Sequence, residues 1–226
     1  MILFAAKITI NFLILLMPLY KSIEVNSQTN VKIWQISEPL DFLTSNVELN
    51  SASLKRLSTM KSSIHKCGFL SVRMLLKAFG YTDQDLYYDH FGKPFLKDGR
   101  FISITHSHNY AAVVISNQQV GIDIEKQRAK IAKIALKFVG YESNYLDKKD
   151  PDYIKKLTWI WCIKESLYKL YSKSGMSFKK HFLVLPFAVE DNNTTAWIKD
   201  EDTLKNFKGV FFEFDGFGCA LTIPSV

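Results

Sequence analysis

The sequence predicts an α+β protein of two similar lobes, each with helices packed on a small antiparallel sheet, in a pseudo-twofold arrangement. Three observations predict this. Helix-spaced and strand-spaced apolar segments mix in both halves, hairpin signals stand near both ends, and no Gly/Ser-rich linker or repeat divides the chain. With 47% hydrophobic and 14% aromatic residues, a packed core is available to a chain of 226 residues.

Each element follows from local pattern. Ile23 to Val25 and Val31 to Ile36 are short strands about the polar Asn26 to Asn30 turn. From Ser51 to Phe79 apolar residues recur at helical spacing, giving two helices with a break near Lys66 to Gly68 and a stop at Gly80. Tyr87 to Leu96 reads as strand, tight turn at Gly92-Lys93-Pro94, and extended segment. Phe101 to Ser107 and Tyr110 to Ser116 pair as strands, and Asn117-Gln118-Gln119 leads into a Val120 to Glu125 strand, so an antiparallel meander is expected. Lys130 to Val139 and Pro151 to Ser172 are helical, the second opened by its proline. Asp215-Gly216 marks a closing hairpin between apolar runs. The N-terminal lobe is expected over residues 17–117 and the C-terminal lobe over 118–226.

Residues 1–16 are apolar apart from Lys7, Thr9 and Asn11. They are shorter than the about 20 residues of a spanning helix, and no small-x-small cleavage site follows before Lys21. The prefix is either untranslated, with Met17 as the start of an ordinary soluble protein that needs no membrane, or a short anchor, which a second hypothesis, a membrane-tethered basic protein, requires. The net charge of +7 favours anionic partners. Three cysteines without CxxC spacing indicate neither a disulfide framework nor a zinc site, and fit a reducing, cytoplasmic setting. Scattered basic residues and the lack of a recognised motif argue against nucleic acid, and no Walker loop or GxGxxG is present to cradle nucleotide phosphate.

The chemistry concentrates in two places. In Val120-Gly121-Ile122-Asp123-Ile124-Glu125, alternation puts Asp123 and Glu125 on one face, where two carboxylates can share a cation such as magnesium, while Val120, Ile122 and Ile124 anchor the other and Gly121 leaves room for close approach. On the Pro151 to Ser172 helix, Ile160, Ile163, Leu167, Leu170 and Tyr171 form a buried stripe, and Trp161, Glu165 and Lys169 share another face that can border a cleft. Plain roles also fit. Asp123 and Glu125 suit a solvated edge strand, Glu165 and Lys169 an ordinary surface pair, and His106 a hydrogen-bonded turn residue.

Taken in order, Gly92-Lys93-Pro94, Phe101 to Ser107 ending in Thr105-His106-Ser107, Gly121-Ile122-Asp123-Ile124-Glu125, and Trp161-Cys162-Ile163-Lys164-Glu165-Ser166-Leu167-Tyr168-Lys169 closely resemble the 4'-phosphopantetheinyl transferase superfamily, in its surfactin-synthetase-activating type. The resemblance covers about Leu70 through Lys169. It implies transfer of phosphopantetheine from coenzyme A to a serine of an apo acyl or peptidyl carrier protein. It further implies that Asp123, Glu125 and Glu165 hold magnesium, that Glu165 and Lys169 are catalytic, and that Lys93, Thr105 and His106 fall where coenzyme A is bound. Two departures stand out: Thr105 replaces a serine, and the arginine expected upstream of Leu70 is absent or replaced by His65 or Lys66. The competing reading within the same fold is a non-catalytic coenzyme A or carrier-protein binding module.

Overall fold

The computed structural model describes residues 19–201 and 203–225. The hydrophobic prefix and the Met17 start lie outside the described residues. In chain order the elements are β1 (Leu19–Asn26), β2 (Thr29–Gln35), α1 (Leu40–Ser45), α2 (Ser51–Thr59), α3 (Ser63–Ala78), β3 (Leu86–Tyr88), β4 (Pro94–Leu96), β5 (Phe101–Ser107) and β6 (Tyr110–Ser116). There follow β7 (Gly121–Lys126), α4 (Ile131–Phe138), α5 (Tyr153–Tyr171), β8 (Phe182–Val184), β9 (Asn193–Asp200), β10 (Thr203–Phe214) and β11 (Phe217–Pro224). Among the described residues no helix is long and apolar enough to cross a membrane.

The fold is α+β and two-lobed. One sheet has the order β1-β2-β6-β5 and the other β7-β11-β10-β9-β8, all pairs antiparallel. The two sheets face each other across a core of Val31, Ile33, Val114, Ile122, Ile124 and Leu221. α3 covers the outer face of the first sheet with Leu70, Leu75 and Leu76, all at 0% exposure, burial worth about 1.5–3 kcal/mol for each side chain. α5 covers the outer face of the second with Ile160, Ile163, Leu167 and Leu170.

This layering explains why β6 reads as an unbroken apolar run. Ala111, Val113 and Ile115 pack beneath α3, while Tyr110, Ala112 and Val114 meet the other sheet, so both faces are dry.

Three local expectations are corrected. β7 does not continue a meander with β6, because β2 already occupies that edge of β6 from Thr29↔Ser116 to Gln35↔Tyr110, and β7 crosses to pair with β11 in the other sheet. The helix break falls at Met60 to Ser62 rather than Lys66 to Gly68. Gly68 stays helical, and its missing side chain serves packing instead: a Cβ there would stand 2.9 Å from His106 Cδ2. Pro151 lies in the turn before α5, which starts at Tyr153. α1, β8 and β9 were not expected from the sequence, whereas Gly80, at φ +84, ends α3 as its position indicated.

Candidate active site

The site forms where β5 of one sheet runs beside β7 of the other. Three hydroxyls at alternate positions of β5 face β7 and take hold of it in turn. Ser103 Oγ accepts from the Ile122 N–H at 3.1 Å, Thr105 Oγ1 donates to Asp123 Oδ1 at 3.0 Å, and Ser107 Oγ donates to Glu125 Oε2 at 3.2 Å. Strand alternation thus does two jobs. It turns Asp123 and Glu125 to one side, and it supplies the row of hydroxyls that orients them.

α5 closes the third side. Its backbone lies so near β7 that a Cβ on Gly121 would fall 1.8 Å from the Ser166 carbonyl oxygen, so the glycine is what admits the helix. At that distance Lys169 Nζ reaches Asp123 Oδ1 at 2.8 Å and the Ile122 carbonyl at 2.9 Å. Asp123 is therefore no solvated acid: it is 6% exposed, and its second oxygen, Oδ2, is buried without a protein partner. A buried carboxylate oxygen left unpaired is costly, and a cation is one group that removes the cost.

The three acids feel one another. Burial pushes the Glu165 carboxyl up to about 7, with Asp123 and Glu125 adding to the rise and Lys169 opposing it. Burial, then Asp123, raises Glu125 too, against the pull of Ser107, Lys169 and Arg128. Among the described residues, no group of three or more His, Cys, Asp or Glu side chains is drawn close enough to count as a metal-ligand cluster. The donor set nonetheless suits a hard divalent ion: carboxylate oxygens only, one of them unpartnered.

Beside the acids a cleft of about 380 Å3 opens between the lobes, lined by Arg56, Lys93, His106, Tyr168 and Lys169 among others. An adjoining hollow of about 300 Å3 shares Arg56 and His106 and adds His65. Partial desolvation, followed by the charges of His65, Lys169 and Arg56, holds the His106 pKa below its usual value, so the ring sits in a positive corner. Lys93 lines the cleft, but its Nζ donates to the Leu170 carbonyl at 3.0 Å and ties the β3–β4 hairpin to the end of α5. Thr105 is 5% exposed and spends its hydroxyl on Asp123 rather than on the cleft. Trp161 does not border the site either: it stacks on Phe178 at 5.3 Å and meets Phe138 edge-on at 5.1 Å.

The structure therefore sets Lys169 in contact with Asp123, couples Glu125 and Glu165 to Asp123 through their charges, and places His106 and Lys93 along the adjoining cleft. Sequence reasoning missed Arg56, contributed by α2, having looked for the upstream cation nearer Leu70; of the two substitutes named, His65 reaches the hollow. It also missed the service of Ser103 and Ser107, although alternating hydroxyls in Ser103-Ile104-Thr105-His106-Ser107 are a readable signal.

Comparison with known proteins bears on this geometry. The family model described as the 4'-phosphopantetheinyl transferase superfamily matches residues 119–220. The chain is similar to a protein named 4'-phosphopantetheinyl transferase gsp from Aneurinibacillus migulanus, 27% identical over 191 residues that make up 80% of this chain and 77% of that one. Among solved structures it is similar to the crystal structure of Thermotoga maritima holo-[acyl-carrier-protein] synthase, with a TM-score of 0.39 and 17% identity over 47% of this chain. The chain spans 62% of that synthase's length.

Proposed function

We infer an activity from kinship: the chain belongs to the 4'-phosphopantetheinyl transferase superfamily, and we propose that it transfers 4'-phosphopantetheine from coenzyme A to a serine of an apo acyl or peptidyl carrier protein. The observation that carries the proposal is Asp123, one of whose oxygens is fixed by Thr105 and Lys169 while the other is buried and unpartnered beside two further acids.

In this reading Asp123, Glu125 and Glu165 would hold magnesium, which would supply neutralisation of charge on the coenzyme A diphosphate. The chain's own groups do the rest. Glu165 is the base of this reading and takes the proton of the carrier serine. The serine oxygen forms its bond to the pantetheine-side phosphorus as the bond between that phosphorus and the bridging oxygen breaks. Adenosine 3',5'-bisphosphate leaves with the bridging electrons, and Lys169, already facing the acids, stabilises the oxygen that departs. Arg56, His65 and His106 offer a positive corner for the remaining phosphate, and Lys93 holds the hairpin that walls the cleft. The net charge of +7 suits an acidic carrier surface, and a cytoplasmic location suits the three unpaired cysteines.

The test is the intact mass of a purified apo carrier protein after incubation with the protein, coenzyme A and magnesium, with an EDTA control. A gain of one phosphopantetheine group that EDTA abolishes is the expected result. No gain across several carriers, with coenzyme A bound to folded protein, would instead identify a non-catalytic binding module.

A further inference from the structure

We propose that Tyr110 and Asp215 form a latch between the lobes that positions Glu125 for its cation, an inference that rests on the metal-site reading above. Ser107 and Tyr110 are partners in register at the closed end of the β5–β6 hairpin. Ser107 holds the Glu125 side chain. Tyr110 Oη donates to Asp215 Oδ2 at 2.5 Å, across the lobe boundary, in the Asp215-Gly216 turn that joins β10 to β11.

That turn is also what holds the backbone of Glu125. The Gln127 N–H donates to the Gly216 carbonyl at 2.9 Å, and Gly218 pairs with Glu125 directly. Glu125 is thus held from two sides, its side chain by one hairpin end and its backbone by another. The Tyr110 hydroxyl joins the two holders, and the Tyr20 hydroxyl of β1 reaches the same Asp215 carboxylate.

The surroundings of Tyr110 indicate that its hydroxyl is there for this bond. The residue is 1% exposed, with its ring edge-on to Tyr20 at 5.2 Å, Phe214 at 5.0 Å and Phe217 at 4.9 Å. A phenylalanine would fill the same space among these rings. Burial and the Asp215 carboxylate keep the phenol protonated, hence a donor. Tyr110 touches no reacting group, so its role is positioning, by fixing how far β7 and the Ser107 hydroxyl stand apart.

The test uses the full chain and Mn2+ in place of magnesium, with free ion counted by electron paramagnetic resonance. Tyr110→Phe is expected to weaken Mn2+ binding about tenfold by displacing the Ser107 hydroxyl from Glu125, the low end for loss of that outer-shell partner. Asp215→Ala, a change in an exposed turn that also frees Tyr20, should weaken it at least as much, Asp215→Asn, which retains an acceptor oxygen, should stay within about threefold of wild type, and the Tyr110→Phe/Asp215→Ala double variant should be no weaker than Asp215→Ala alone. Unchanged Mn2+ affinity in folded Tyr110→Phe and Asp215→Ala, with only the melting temperature lowered, overturns the latch. A wild-type protein that binds Mn2+ no better than Asp123→Ala overturns the metal site itself, and the latch with it. Affinity lost in Asp123→Ala and kept in the latch variants overturns the latch alone.

Discussion

Two lysines five positions apart on α5 each reach a carboxylate, and the pairs differ in completeness. Lys164 meets Glu142 at 2.7 Å with both side chains at 0% exposure, and it also donates to the Phe138 and Phe178 carbonyls. Glu142 in turn accepts from the Gly140 and Val184 N–H groups. Every group in that pair is engaged with protein. Lys169 meets Asp123 at 2.8 Å, but the lysine is 27% exposed and Asp123 Oδ2 has no partner. A saturated ion pair staples the α4 end to the β8 region; an unsaturated one leaves a buried carboxylate oxygen with no protein partner. Both lysines belong to one short motif, and only their surroundings tell the staple from the site.

The contrast can be broken from either side. Lys164→Met should cost about 3–5 kcal/mol of stability by leaving Glu142 charged and unpaired in the core, measured as a shift in the urea midpoint. The transfer rate per folded molecule should change far less, and an unchanged midpoint would show that the pair is no staple. Asp123→Ala should do the reverse, lowering transfer at least about a hundredfold in the mass assay while the urea midpoint moves less than in Lys164→Met, since Lys169 is left partly in water and removing the buried, unpartnered Oδ2 offsets the bond lost to Thr105. Wild-type rates in that variant would remove Asp123 from the site.

Acidity sharpens the same contrast. The ordinary Glu165 pKa of 4.5 is raised to about 7 in the fold, chiefly by burial. The folded state therefore holds this proton more tightly than the unfolded chain, and metal-free stability should fall as the pH rises from about 4.5 to 7. Magnesium should reverse that loss, and transfer should decline below about pH 7 with a limb that moves to lower pH as magnesium increases. Urea midpoints and kcat/KM across this range, at two magnesium levels, read both effects; curves indifferent to magnesium would detach Glu165 from the ion. The smallest change is Thr105→Val, which removes one hydrogen bond to Asp123 and should cost about 0.5–1.5 kcal/mol in the urea midpoint, whereas Thr105→Ser should be near neutral.

The acids were legible in the sequence because each lies in a short segment whose own period aims it: two for Asp123 and Glu125, four for Glu165 and Lys169. Gly121 was legible for the same reason, as room made for the Ser166 backbone. Arg56 was not, since nothing within α2 marks the cation that the packing of α2 and α3 carries to His106. The crossing of β7 was hidden because its alternation suits either sheet, and the choice is made by β2, far earlier in the chain, occupying the edge of β6. Gly68 misled as a helix break because the contact that explains it, His106, is on a different element. β9 does alternate, with Thr194, Ala196 and Ile198 inward, but two of those three residues are too small or too polar to stand out.

The pairing of β7 with β11 has a consequence for the order of synthesis. β7 leaves the ribosome before residues 127–216, yet its hydrogen-bonded partner in the sheet is Phe217 to Thr222. A nascent chain ending at Asp215 would carry Asp123, Glu125, Glu165 and Lys169 with no finished sheet to hold the first two. Assembly of the site therefore waits on a strand made after α5 and β10, and a chain cut short before it should neither gather the acids nor hide the apolar edge between them.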